Sequence, residues 1–118
     1  MDKKEYGLDV LKKILDALHD KRFSDISEIV TKTKTGPMEE LPGFLLEFVQ
    51  GTAEANDFHT IDKYNEQADI YFDEFNGIYS TEYIMTADDG EELPLLLRLE
   101  FKDAEDGKTN VILDIQPN

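Results

Sequence analysis

The apolar positions of this chain obey two rules, and Gly77 separates them. Before Gly77 they recur at the three- and four-residue spacing of amphipathic helices. After it they alternate, as in a half-buried sheet. Leu8, Leu11, Ile14, Leu15 and Leu18 make one stripe of a helix from about Lys4 to His19. Ser24 reads as the N-cap of a short second helix carrying Ile26, Ile29 and Val30, with Phe23 before it as a staple. The polar run Thr31–Pro37 reads as a connector. A third helix opens at Leu41-Pro42, where proline suits the first turn, and ends at Asn56-Asp57. Its stripe is Leu41, Phe44, Leu45, Phe48, Val49 and Thr52; Gly51 weakens it unless another helix crosses closely there.

Ile61, Tyr64, Ala68, Tyr71, Phe72 and Phe75 fit a fourth helix, capped by Thr60 and closed by Asn76-Gly77. The β-favouring content of Ile70–Phe75 offers a short strand as the competing reading; the longer helical period is preferred because it fits six positions at once. Three strands follow. Ile78–Ala87 sets Tyr79, Thr81, Tyr83 and Met85 on one face. Leu93–Lys102 turns Leu93, Leu95, Leu97, Leu99 and Phe101 one way and Arg98, Glu100 and Lys102 the other. Thr109–Gln116 turns Val111, Leu113 and Ile115 inward. Acidic turns, Asp88-Asp89-Gly90 and Asp103–Lys108, join them. The expectation is a single α+β domain over 1–118, with helices over about 4–76 packed on one face of an antiparallel meander over about 78–116.

Composition narrows the chemistry. Hydrophobic residues are 40% and charged residues 33%, which suits a folded chain rather than a disordered one. No cysteine is present, so thiolate nucleophiles, disulfides and Cys-based metal sites are excluded. The start, Met1-Asp2-Lys3-Lys4-Glu5, leads into no apolar core, and no apolar run approaches a membrane span; both favour a cytoplasmic protein without membrane contact. Net charge is −15, divided as −4 over residues 1–60 (12 acidic, 8 basic) and −11 over 61–118 (15 acidic, 4 basic). Such a surface repels nucleic acid and attracts basic proteins.

Candidate sites are few. His19 sits at a helix end and His59 in a link, and neither has ligands or an acid–base partner at telling spacing. Asp103-Ala104-Glu105-Asp106-Gly107 and Asp88-Asp89-Gly90-Glu91-Glu92 lack the ligand spacing of a calcium loop, so no metal and no cofactor is expected. Ser24, Ser27 and Ser80 lie in no nucleophile elbow. Two groups stand out. Glu82, Asp88, Asp89, Glu91 and Glu92 flank the first hairpin and are the expected contacts for a basic partner. Tyr64, Tyr71, Tyr79 and Tyr83 would line one ligand cavity if the fourth helix folded over the sheet; as ordinary residues at the core's edge they would line none.

Leu15–Ile29, Gly77–Tyr83, Leu93–Phe101 and Val111–Ile115 together show an order of elements that resembles small bacterial proteins of the nuclear-transport-factor-like (cystatin-like) cone fold. The resemblance implies a cone of helices and sheet. Enzymes of that group carry acids and histidines inside the cone, whereas the inward strand positions here are Leu, Val, Ile and Tyr, so it also implies a non-catalytic role. The leading expectation is therefore an acidic, non-catalytic binding protein of the immunity or antagonist type. A small-molecule binder or minor enzyme with a tyrosine-lined pocket, and a structural homodimer built through the outer sheet face, are the alternatives.

Overall fold

A computed structural model describes residues 2–34 and 36–118. Three helices, α1 (Lys3–His19), α2 (Phe23–Ile29) and α3 (Leu41–Ala55), precede the main strands β2 (Ile70–Phe75), β3 (Ile78–Thr86), β4 (Glu92–Asp103) and β5 (Thr109–Pro117). A two-residue strand, β1 (Lys32–Thr33), completes a five-stranded sheet of order β1-β5-β4-β3-β2. All ladders are antiparallel except β1 with β5. The class is α+β, with helices leading and the meander following.

The helical stripes bury as their spacing requires. Asp2 caps α1 by accepting the Glu5 N–H at 2.7 Å. Leu11, Ile14, Leu15 and Leu18 lie within the core, on the inward face of the sheet. Left-handed Lys21 ends the helix, and Arg22 N–H returns to the Ala17 carbonyl at 2.8 Å, as in a Schellman turn. Leu41, Leu45, Val49 and Thr52 bury the α3 stripe, and a 3-10 turn over Met38–Glu40 leads into it. From the sheet, Tyr79, Thr81, Tyr83, Met85, Leu93, Leu97, Leu99, Phe101, Val111 and Leu113 fill the other half of the core.

Four expectations need correction. The fourth helix does not exist: Ile61 makes an isolated bridge to Ala87, irregular chain follows, and Ile70–Phe75 is a strand paired with β3 from Ile70↔Tyr83 to Phe75↔Ile78. Its helical spacing was fortuitous, because β-pairing places Ile70 and Phe72 inward while Tyr71, Asp73 and Phe75 point outward. Asn76-Gly77 is not a helix cap but a two-residue hairpin turn, with φ of 53° and 79°. The sheet has five strands rather than three, since the polar connector supplies β1: Thr31 N–H and Lys34 N–H bond to the Val111 and Leu113 carbonyls at 2.8 and 3.0 Å. Ser24 is inside α2, whose N-cap is Arg22 without a side-chain bond. Gly51 meets no neighbour within 4 Å of an added Cβ, so no close crossing accounts for it.

An acidic recess between the end of α3 and the β3–β4 hairpin

The β3–β4 turn is built from its own sequence. Gly90 is left-handed, with φ of 88°, and its N–H closes on the Ala87 carbonyl at 2.9 Å. Asp89 Oδ1 accepts the Glu91 N–H at 3.0 Å, an Asx turn that fixes the acidic tip. Facing it, α3 unwinds through Asp57 and Phe58, both left-handed at φ of 56° and 65°. Phe58 N–H still bonds the Ala53 carbonyl, and Asn56 Nδ2 donates to the Thr52 carbonyl at 2.7 Å, so the reversal is held at both sides.

This reversal aims the next residues at the hairpin. Asp88 N–H donates to the Thr60 carbonyl at 2.8 Å, and Thr60 Oγ1 donates back to Asp88 Oδ2 at 3.0 Å. His59 lies between two carboxylates, Nδ1 at 2.9 Å from Asp88 Oδ1 and Nε2 at 3.5 Å from Asp89 Oδ2. The hydrogen bond with Asp88, reinforced by the charge of Asp89, raises the His59 pKa above its ordinary value. Hydrogen bonds from His59 and then Thr60 lower that of Asp88. Donor atoms of His59, Asp88 and Asp89 fall within 4.8 Å of one another, near enough to share a divalent cation, although both aspartates are exposed and Asp88 is already spent on His59 and Thr60.

Asp57, His59, Asp89, Glu91 and Glu92 line a recess of about 290 Å3, backed by Ala55, Asn56 and Ala87. Three of the five hairpin acids expected from sequence, Asp89, Glu91 and Glu92, thus line the recess, with Asp57 and His59 added from the α3 end; a fourth, Asp88, stands beside it, bonded to His59 and Thr60. Proximity of segments about thirty residues apart carries no local sequence signal. The fifth, Glu82, stands elsewhere. It lies mid-strand on the outer sheet face and accepts from Arg98, which also reaches Glu100 at 3.7 Å. Its charge is satisfied within the sheet. Between Lys63 and Arg98 the chain carries nine acidic residues and neither lysine nor arginine, so the hairpin side of the recess and β2 lie in one stretch of sequence without a basic side chain.

The tyrosines do not assemble as one lining. Tyr83 and Tyr79 are core residues, 1% and 4% exposed. Tyr83 stacks with Tyr64 at 6.0 Å between ring centroids, and its hydroxyl accepts the Asn65 N–H at 3.1 Å. Tyr79 stacks with Phe101 at 4.8 Å. Tyr71 faces outward, 59% exposed, on the opposite side of the sheet. His19 is a structural pin, its Nδ1 2.9 Å from the Ile61 carbonyl. Among the described residues no helix is long and apolar enough to cross a membrane. Compared with protein-family models, curated proteins and solved structures, the chain matches none.

Proposed function

We propose that the protein is a non-catalytic binding protein of the antagonist type, which engages a basic protein partner at the recess between the α3 end and the β3–β4 hairpin. The supporting observation is the convergence of Asp57, Asp89, Glu91 and Glu92 from two distant chain segments around one recess. Carboxylates on a solvated rim steer a cationic partner into encounter without disturbing the core. His59 adds positive charge only when protonated, so the field of the recess is strongest above its pKa.

The test is affinity capture from native lysate, followed by association kinetics with the captured protein. Glu91→Lys combined with Glu92→Lys is expected to slow association at low salt and to matter less at high salt, because screening acts over about 8–10 Å. A partner whose on-rate ignores both the reversal and salt would reduce the acidic recess to a solubility surface.

A further inference from the structure

β2 is one edge of the sheet, the two-residue β1 being the other. Its pairing alternation is fixed from both ends. The two-residue Asn76-Gly77 turn makes Phe75 and Ile78 a hydrogen-bonded pair. The Ile84 N–H to Asp69 carbonyl bond, 3.1 Å, puts the far end in the same phase. Tyr71, Asp73 and Phe75 therefore bond to β3, and the N–H and C=O groups of Ile70, Phe72 and Glu74 point away from the sheet. Among the described residues no strand lies beyond them.

Exposed edges are ordinarily guarded by charged side chains, lysine above all, by proline or by a bulge. β2, Ile-Tyr-Phe-Asp-Glu-Phe, has no lysine, proline or bulge, and its register with β3 is unbroken; its guards are the anionic Asp73 and Glu74, which repel another acidic strand and not a cationic one. It also carries two large exposed rings, Tyr71 at 59% and Phe75 at 73%, on the outer face with Asp73 between them. Asp69, Asp73 and Glu74 set the charge of the edge; Lys3 pairs with Glu74 at 3.4 Å, which leaves Asp69 and Asp73 in excess.

We propose that the β2 edge is a strand-addition site for an extended cationic segment of another protein, which would extend the sheet alongside Ile70–Phe75. The outer face of the added strand would meet Tyr71, Asp73 and Phe75 in turn, which selects an apolar residue, a lysine or arginine, and a second apolar residue at alternate positions. A second copy of this chain fits less well. Its own β2 offers no cation to Asp73, and it brings a further net charge of −15. The inference takes from the proposed function only the sign of the partner's charge, and it uses a different surface.

The probe is a capped heptapeptide with valine, lysine and valine at its second, fourth and sixth positions and threonine elsewhere; a twin carries glutamate in place of lysine. Amide exchange is followed residue by residue on the full chain. Saturating lysine peptide should slow exchange at Ile70, Phe72 and Glu74 about tenfold, with far less change at Tyr71 and Asp73, which are already bonded. The glutamate twin should have no effect. Glu74→Pro removes one outward N–H at an exposed position where an edge strand tolerates proline, and should abolish the protection. Should that variant not fold, the wild-type exchange pattern decides alone. Glu91→Lys with Glu92→Lys should leave peptide protection intact, so a failed recess and a failed edge give different results. Unchanged exchange, equal binding of both peptides, or protection already present without peptide in a sedimenting dimer would each overturn the proposal.

Discussion

His59 and Asp88, 29 residues apart in sequence, are joined Nδ1 to Oδ1 at 2.9 Å, and through them the link after α3 is fastened to the β3–β4 hairpin. The contact has a pH window. His59 has a raised pKa, so its contribution is complete below the ordinary histidine value of about 6.5 and is lost as pH rises through the raised one. Asp88 has a lowered pKa, so its contribution is present above the ordinary aspartate value of about 4 and is lost as pH falls through the lowered one. The clasp is thus fully ionised between roughly pH 4 and 6.5. Asp88→Asn should move the His59 midpoint down, toward but not fully to its ordinary value, since Asp89 stays. Imidazole proton shifts across pH 4–9 measure this. An unmoved midpoint would mean that the contact does not persist in solution.

Gly77 tests the reassigned hairpin. Both turn residues are left-handed, which asparagine tolerates and glycine adopts without strain. Nothing lies within 4 Å of a Cβ built on Gly77, so any loss in Gly77→Ala is conformational rather than steric. The expected loss is about 1 kcal/mol or more, read from denaturant or thermal melts. Equal stability would refute the left-handed turn.

The distinction between what was readable and what was not follows the range of the interactions. The α1 and α3 stripes, and the alternation in β3, β4 and β5, each report one local face, and the buried residues match them at Leu15, Leu45, Leu97 and Val111. The stretch from Ile61 to Phe75 misled because six aromatic and aliphatic residues satisfy a helical period by accident, while the pairing that decides the matter lies in β3. Asn76-Gly77 between two β-favouring runs was the available hairpin signal. β1 was beyond local reading, because two residues of polar chain become a strand only through their parallel partner Ile112–Leu113. At the recess, the hairpin acids were legible as a turn; Asp57 and His59 joined them only through the reversal at the end of α3.

Leu97 and Leu96 are neighbours in sequence and opposites in burial. Leu97 is fully buried between Tyr83 and Ile115 in the ladder, and Leu96 is half-buried on the outer face. Leu97→Ala should cost about 2–5 kcal/mol through lost transfer energy and the cavity left behind. Leu96→Ala should cost well under half of that. Equilibrium unfolding in urea at two protein concentrations distinguishes the cases. A large, concentration-dependent loss at Leu96 would reveal a second subunit covering the outer face.

Gly7 and Thr81 set the approach of α1 to the sheet; the alternation of β3 placed Thr81 on the inward face, while Gly7 carried no signal. A Cβ on Gly7 would lie 3.0 Å from Thr81 Cγ2 and 3.5 Å from the Phe101 ring. Thr81 is fully buried and β-branched, so it yields poorly. Gly7→Ala gains about 1 kcal/mol of helix propensity but overpacks this contact, which typically costs about 1–3 kcal/mol. The expected sum is neutral to destabilising, against the stabilisation an open helical site would show. Thr81→Ser removes the obstructing methyl, so the alanine should be tolerated better in that background, and a double-mutant cycle measures the coupling. Thr81 Oγ1 has no hydrogen-bond partner among the described residues. Thr81→Val replaces that orphan hydroxyl by a methyl of similar shape and should stabilise the fold by about 1 kcal/mol. If Thr81→Val destabilises instead, the hydroxyl has a bonding partner, such as an ordered water; if the cycle shows no coupling, α1 does not rest on Thr81 as closely as 3.0 Å requires.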